Sequence, residues 1–279
     1  MIAQKRGMVL AAGFFDGVHL GHRRILEGAD SVLTFRNHPL SVLAPEKMPP
    51  LLMSTEERLT ELSTGKRSVR APEFTGEFAA MSPEMFVDFL VREYPRLSKV
   101  RCGGNWTFGA GGRGNPELLR KLGIAVEVVA YAEHGGEAIS STRIRTALSE
   151  GDVQLANAML GRDFSFVGKV CSGKGLGGEI GFPTLNLMPS KPLFLPFGVY
   201  AVRTALGMAA ANWGMAPTMG GEAWSQPVFE VHLLEPKTSA SLSLKVEILT
   251  FVRPERKFSS VTELARQIAA DVDFVRSLK

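Results

Sequence analysis

Several features that would define a class of protein are scarce in this chain of 279 residues. It has only two cysteines, Cys102 and Cys171, so we expect neither a disulfide framework nor a cysteine-based metal cluster. No apolar run approaches the roughly 20 residues that cross a bilayer, and no apolar leader with a cleavage site opens the sequence. These absences predict a cytoplasmic protein that makes no contact with a membrane.

Clustered basic charge is also missing. The formal net charge is +4, from 32 basic and 28 acidic residues, and charges of both signs are interspersed along the chain. Proteins that bind nucleic acid concentrate lysine and arginine on one face, so nucleic acid is not an expected partner. The small positive net charge suits an anionic small molecule such as a nucleotide. The sequence does not predict an oligomeric state.

The chain is long enough for about two domains, and 45% of its residues are hydrophobic, which is enough for each domain to have its own core. Up to about residue 150, strand-like and helix-like segments alternate, as in a parallel sheet with helices on its faces. From about Asp163, short runs alternate between apolar and polar residues, which predicts a small all-β barrel or Greek key. We therefore predict a Rossmann-like α/β domain over residues 1–160. An antiparallel barrel with an amphipathic terminal helix, Val261–Leu278, is expected over residues 161–279.

The local patterns in the first domain give definite elements. One helix is expected directly after His22 and another over Thr55–Leu62, with Ser54 as its cap. The expected strands are Gly7–Ala12, Ser31–Phe35, Lys99–Gly103 and Ala125–Ala130.

The segment from Gly13 to His22 carries the most specific pattern. It follows the apolar run Met8–Ala12 and precedes a helix, so it lies at a strand–loop–helix junction. Glycines there allow backbone to approach a phosphate, and a helix N-terminus favours anions. His19 and His22 can donate hydrogen bonds to phosphate oxygens and offset charge on a leaving pyrophosphate. This His-x-Gly-His string is the signature of nucleotidylyltransferases. An ordinary loop with two histidines is the alternative, which the flanking Gly-Phe-Phe-Asp-Gly-Val disfavours.

Two further strings support a nucleotide site in the same domain. Gly103–Gly109 places an amide, Asn105, at the carboxyl end of a strand, where open α/β sheets bind ligands. Ile139–Arg145 begins a helix with hydroxyl side chains that suit a cap or a phosphate. Taken alone, each string is better explained by a structural role, as a turn for the first and as helix capping for the second.

The second domain carries a different set of groups. The glycine-rich segment Gly173–Gly178, with Lys174, can close over a phosphate chain, although it is not a P-loop. Thr184 and Asn186 are two residues apart, so in a strand they share a face and offer the hard oxygens that Mg²⁺ prefers with ATP phosphates. Glu230 lies among apolar residues of a strand and is a candidate general base. Polar residues on a solvated strand face are the alternative for these three positions.

Together these strings closely resemble one family, the prokaryotic bifunctional riboflavin kinase/FAD synthetases. The resemblance covers nearly the whole chain in order, and its specific parts are Gly13–His22, Gly104–Gly109, Ile139–Arg145, Gly181–Asn186, Pro196–Tyr200, Asn212–Gly214, Pro217–Thr218, Glu230–Leu234 and Arg253–Phe258. It implies that the first module transfers AMP from ATP to FMN, which makes FAD and pyrophosphate. It also implies that the barrel phosphorylates riboflavin to FMN with ATP and Mg²⁺.

The resemblance also implies roles for individual residues. His19 and His22 would act on the ATP phosphates, Thr184 and Asn186 would hold Mg²⁺, and Glu230 would activate the ribityl hydroxyl. The residues that would bind substrate or nucleotide are Gly13, Phe14, Asp16, Gly17, Gly21, Asn105, Ser141, Thr142, Arg145, Gly173, Lys174, Gly181, Asn212 and Arg253.

Three departures from the family pattern keep two alternatives open. The helix after His22 has room for only about two turns before Ser31. The segment Glu235–Leu242 lacks the usual Tyr-Gly turn, and Gly178 stands where an arginine is common. The alternatives are an enzyme in which only the kinase module works and a flavin-nucleotide-binding protein without turnover.

Overall fold

The chain divides into two units, Met1–Ser141 and Thr142–Lys279. The computed structural model describes residues 7–171, 182–215, 226–235 and 242–278. None of the helices within those ranges is both long and apolar enough to cross a membrane.

The first unit is built on a parallel five-stranded sheet with the order β3-β2-β1-β4-β5. Its strands are β1 Met8–Ala12, β2 Ser31–Leu33, β3 Ser68–Arg70, β4 Leu97–Gly103 and β5 Ala125–Val129. A short antiparallel hairpin, β6 Glu133–His134 and β7 Glu137–Ala138, follows. Because all five strands run in the same direction, their carboxyl ends meet at one edge. The α/β prediction is confirmed, and β3 is a strand that the pattern did not predict.

The helices of the first unit are α1 Leu20–Leu26, α2 Leu40–Leu43, α3 Thr55–Ser63, α4 Gly76–Ala80, α5 Pro83–Glu93 and α6 Pro116–Lys121. Three 3₁₀ turns, Pro45–Lys47, Thr64–Lys66 and Ala110–Gly112, complete the connections. The first helix has two turns, as expected, but the prediction that it begins after His22 was wrong. It begins at Leu20, because the His19 side chain caps it.

Two helices, α7 Ser141–Ser149 and α8 Val153–Leu160, precede the barrel strands. The Asn157 side chain of α8 donates to the carbonyl of Ile248 at 2.9 Å and accepts from the N–H of Phe164 at 2.7 Å. These bonds fix α8 to the barrel. The division of the chain counts α8 with the second unit, and a domain boundary near Gly161 stays a prediction.

The second unit is a closed antiparallel barrel with the order β10-β11-β12-β9-β8-β13. Its strands are β8 Phe164–Cys171, β9 Leu185–Pro189, β10 Gly198–Thr204, β11 Gly207–Gly214, β12 Val228–Leu233 and β13 Ser243–Pro254, and α9 Val261–Ser277 follows them. Aromatic rings fill the interior, where Phe229 packs against Phe166, Tyr200 and Trp213. All four side chains are nearly inaccessible to solvent. The predicted barrel with a terminal helix is thus confirmed.

Candidate active sites

The two predicted histidines lie together at the start of α1. His19 caps this helix, because its Nδ1 accepts the backbone N–H of His22 at 3.3 Å. That bond selects the tautomer of His19 that carries its proton on Nε2. The two rings stack with their centroids 3.6 Å apart. Gly21 makes this arrangement possible, since a Cβ added there would lie 3.1 Å from the His19 ring.

The His22 side chain has an unusual environment. Its Nδ1 is buried and has no hydrogen-bond partner in the part of the chain that the structure describes. Burial, reinforced by the neighbouring His19, holds the pKa of His22 well below its ordinary value. His22 is therefore neutral near pH 7. An unpaired buried polar atom is costly in a folded protein, so its position beside a helix N-terminus points to a polar ligand.

The loop between β1 and α1 is tightly constrained. Phe15 and Val18 have φ angles of 61° and 39°, which are unfavourable for residues other than glycine, above all for a β-branched side chain. Contacts from distant segments hold this conformation. Both carboxylate oxygens of Asp16 accept the N–H of Leu52, at 3.0 and 3.1 Å, and the Ser141 hydroxyl donates to the Asp16 carbonyl at 2.9 Å. Asp16 and Ser141 thus shape the loop, and their predicted contacts with substrate stay predictions.

Three further predicted residues lie in the loop or at the sheet edge where it begins. Gly13 directly follows β1, and a Cβ there would lie 3.0 Å from the Phe15 ring. Gly17 has a φ of 81°, a conformation that favours glycine. Asn105 is exposed two residues beyond β4, at the edge where the parallel strands end. Thr142 and Arg145 lie in the first turns of α7, which begins at Ser141.

An apolar cavity of about 190 Å³ opens next to the loop. Residues from the ends of β1 and β2, from α4 and α5, and from the segment after β4 line it. Seven of its sixteen lining residues are aromatic, and the rings are Phe14, Phe35, Phe74, Phe78, Phe86, Trp106 and Phe108. A cavity of this kind suits a flat, largely apolar ring system. The sequence pattern did not reveal it, since its members come from many separate segments.

The predicted groups of the barrel lie side by side on neighbouring strands. Glu230 of β12 is paired in register with Asn212 of β11 and with Asn186 of β9. Residues paired across antiparallel strands point to the same face. The adjacent Phe229 points into the barrel, so Glu230 and both asparagines point outward. Thr184 directly precedes β9.

Glu230 is half-buried on this outer face. Burial raises its pKa above the ordinary carboxyl value, and the nearby Glu255 raises it further. Asn212 lies next to both carboxylates, since its Nδ2 is 3.5 Å from Oε1 of Glu255. A carboxylate with a raised pKa is a better proton acceptor, which is the property that a general base requires. Glu255 was not predicted.

Arg253 has a partner within its own unit. Its guanidinium forms a two-pronged ion pair with the buried Asp271 of α9, with N–O distances of 2.7 to 3.1 Å. Gln267 also donates to Asp271 at 2.8 Å. This pair ties the last strand to the terminal helix, and a contact between Arg253 and nucleotide stays a prediction. Gly173, Lys174 and Gly181 lie outside the described residues.

The described ranges contain no group of three or more His, Cys, Asp or Glu side chains that could hold a metal ion. The side-chain oxygens of Thr184 and of Asn186, which is paired with Glu230, fit a different arrangement. Neutral oxygen donors suit Mg²⁺ when nucleotide phosphates provide most of the coordination and charge.

Comparisons with known proteins match both units. A family model described as FAD synthetase matches residues 1–143, and one described as riboflavin kinase matches residues 160–279. A bifunctional riboflavin kinase/FMN adenylyltransferase from Escherichia coli (strain K12) is 34% identical to this chain, and the alignment covers 96% of this chain and 92% of that protein. The protein of the same name from Bacillus subtilis (strain 168) is 32% identical, with 94% and 90% covered.

A solved structure is similar over the whole chain. It is described as a macrolide-efflux protein from Streptococcus pneumoniae, with a TM-score of 0.83 and 27% identity, and the match covers 99% of this chain and 95% of that one. The two family models and the names of the relatives agree on the same two activities. This chain therefore belongs to the bifunctional riboflavin kinase/FMN adenylyltransferase family, with an FAD synthetase module followed by a riboflavin kinase module.

Proposed function

We propose that His19 and His22 act in FMN adenylylation and that Glu230 acts in riboflavin phosphorylation. In the first unit, two observations support the proposal: the buried and unpaired Nδ1 of His22, and an aromatic cavity lined by Gly13 and Phe14 of the preceding loop. In the barrel, the row of Asn186, Glu230 and Asn212 supports it.

In adenylylation, a phosphate oxygen of FMN attacks the α-phosphorus of ATP. The bond from the α-phosphorus to the bridging oxygen breaks, and pyrophosphate leaves with the electron pair. The two histidines at the start of α1 would donate hydrogen bonds to phosphate oxygens as negative charge builds up. The aromatic cavity would hold the flavin rings, which would place the phosphate of FMN near the loop after β1. Asn105, Thr142 and Arg145 remain predicted ligands of the phosphates.

In the kinase reaction, the terminal ribityl hydroxyl of riboflavin attacks the γ-phosphorus of ATP. Glu230 would accept the proton of that hydroxyl, and ADP would leave. Asn186 and Asn212 flank the carboxylate and would orient the hydroxyl or the phosphates. When bound with nucleotide, Mg²⁺ supplies charge compensation on the phosphates, and Thr184 and Asn186 would hold it.

Product analysis tests the function. The protein is mixed with ATP, Mg²⁺ and either riboflavin or FMN, and the products are separated by chromatography. We expect FMN and then FAD from riboflavin, and FAD with pyrophosphate from FMN. Production of FMN alone would favour an enzyme with only a working kinase module. Binding of flavin nucleotides without any product would favour the binding protein.

Calorimetry tests the metal ligands. Because both ligands are neutral, Mg²⁺ should bind weakly to protein without nucleotide and much more tightly with ADP present. Tight binding without nucleotide that survives the pair of substitutions Thr184→Ala and Asn186→Ala would show that the metal lies elsewhere.

A further inference from the structure

Arg58 is a charged side chain buried at the centre of the first unit. Only 1% of its surface is exposed, although arginine is almost never fully buried without partners. It lies on α3, whose start is fixed by a capping box between Ser54 and Glu57. Burial lowers its pKa to about 10, while the charge of Asp16 acts in the opposite direction. Arg58 therefore remains charged at neutral pH.

The guanidinium of Arg58 connects two separate chain segments. One nitrogen, Nη1, donates to the carbonyl of Phe14 at 3.0 Å and to the hydroxyl of Thr34 at 2.7 Å. The other, Nη2, donates to the carbonyls of Phe35 and Arg36, at 2.7 and 3.1 Å. The Thr34 hydroxyl also donates to the Phe14 carbonyl, at 3.0 Å. The rigid fork of arginine can make these four contacts at once, whereas a lysine ammonium cannot reproduce that geometry.

These contacts bring the two parts of the adenylylation site together. Phe14 belongs to the loop that leads to His19, and its ring, like that of Phe35, lines the aromatic cavity. The guanidinium carbon of Arg58 lies 4.1 Å from the centre of the Phe14 ring, which is further held edge-on by His38. Leu52, shortly before α3 in the chain, also holds the loop after β1, because its N–H donates to the carboxylate of Asp16.

We propose that Arg58 is a positioning residue for FMN adenylylation, which fixes the loop before His19 relative to the wall of the flavin cavity. It touches neither substrate in this arrangement and acts through the backbone of Phe14. The inference rests on the proposed function, since it assumes that the cavity holds the flavin and that the loop holds ATP. Small errors in the relative position of two reactants lower the reaction rate strongly, and a shift of about 1 Å can reduce it by up to ~10²-fold.

The experiment compares Arg58→Lys and Thr34→Val in the full chain with the wild type. Both reactions are measured, because the kinase of the second unit reports the amount of intact protein, and thermal unfolding followed by circular dichroism checks that the first unit of each variant is folded. We expect each substitution to lower kcat for FAD formation roughly 10- to 100-fold. The KM for ATP should change by no more than a few-fold, and kinase turnover should stay unchanged. The double variant should be little worse than the more impaired single one, because both residues hold the same carbonyl.

Arg67→Lys is the matched control. Arg67 lies just beyond the other end of α3, where it donates to the carbonyl of Leu62 at 3.0 Å and to the hydroxyl of Thr64 at 3.1 Å. Its substitution should alter the hydrogen bonds at the end of α3 and leave the loop before His19 in place. We therefore expect kcat for FAD formation to stay near the wild-type value.

Three results would overturn the proposal. One is an unchanged kcat in Arg58→Lys, or in Thr34→Val if the arginine variant does not fold. Another is a parallel fall of both reactions, or an equal loss in Arg67→Lys, because either would mean a general structural defect. A wild-type protein that forms no FAD would overturn the function itself and the role of Arg58 with it.

Discussion

The two candidate sites are built by different means. In the first unit, the loop after β1 owes its shape to contacts from distant segments, including Leu52, Arg58 and Ser141. In the barrel, strand register alone places Asn186, Glu230 and Asn212 in one row. Removal of a group from the barrel row should therefore change the chemistry and leave the framework intact. In the loop, residues that never touch substrate should matter nearly as much as those that do.

The two sites also use burial in opposite directions. Burial disfavours charge of either sign, so it lowers the pKa of His22 and raises the pKa of Glu230. A neutral imidazole is a hydrogen-bond donor that needs no counter-ion, and a carboxylate with a raised pKa is a stronger base. Each shift suits the reaction proposed for its unit. The following predictions test this contrast.

The largest effect is expected from Glu230→Gln. Glutamine keeps the size of the side chain but cannot accept the ribityl proton, and general-base catalysis contributes ~10²- to 10⁴-fold. The kinase kcat should fall by roughly that factor, with little change in riboflavin affinity. Steady-state assays of both reactions on one preparation provide the measurement, and FAD formation from FMN is the control. Kinase turnover within a few-fold of wild type would mean that Glu230 is only a solvated residue of the outer face.

His22→Ala is expected to have the next largest effect, on the other reaction. Loss of one group that stabilises a transition state often costs ~10²- to 10³-fold. FAD formation should fall by about that factor, while FMN formation stays nearly intact. The matched control is His134→Ala, which removes an exposed histidine of the β6–β7 hairpin. The assigned role would be wrong if His22→Ala formed FAD at the wild-type rate.

The same contrast decides what the sequence could reveal. The strand alternation, the barrel and the residues of the His-x-Gly-His string were all predictable, because periodicity and short motifs are local in sequence. The sequence analysis placed the start of α1 three residues too late, because it did not identify His19 as the N-cap. An imidazole stands there in place of the serine or threonine that usually marks an N-cap. Such boundary errors are small, and they leave the location of the site unchanged.

Contacts between distant segments could not be predicted, because they leave no local pattern in the sequence. Arg58 lies on an ordinary amphipathic helix, and only the fold shows that its side chain points into the unit. Glu255 follows β13, and its proximity to Glu230 depends on barrel closure. The aromatic cavity likewise joins Phe14, Phe78 and Trp106 from remote positions. Sequence patterns therefore located the reacting groups, and the fold was needed for the residues that orient and tune them.

Gly21→Ala tests how strongly the loop site depends on shape. The added Cβ would lie 3.1 Å from the His19 ring and 3.6 Å from the carbonyl of Ile139, so the imidazole must shift by a few tenths of an ångström. We expect FAD formation to fall roughly 10-fold, which is less than the loss expected for a 1 Å displacement. Gly76→Ala is the control, because a Cβ there meets nothing within 4 Å. Equal rates in both variants would show that the stacked histidine pair tolerates movement.

The smallest expected effect is a shift of the kinase pH profile in Glu255→Gln. Burial is the main reason why the pKa of Glu230 is raised, and the negative charge of Glu255 is the second. As the pH falls through this raised pKa, Glu230 takes up a proton and can no longer serve as a base, so the rate declines. Glutamine at position 255 removes the second cause alone. The acidic limb should therefore move to lower pH while staying above the range of an ordinary carboxyl group.

The comparison with wild type separates the shift in the pKa of Glu230 from the titration of the substrates. ATP also titrates, but it does so equally for both proteins, so only a change in the enzyme can separate their kinase profiles. FAD formation from FMN should show the same profile in both, because Glu255 belongs to the barrel unit. A kinase limb that stays in place would mean that Glu255 does not act on the base. A limb that moves to higher pH would reverse the sign of the proposed interaction, because the removal of a negative neighbour can only make a carboxyl group more acidic.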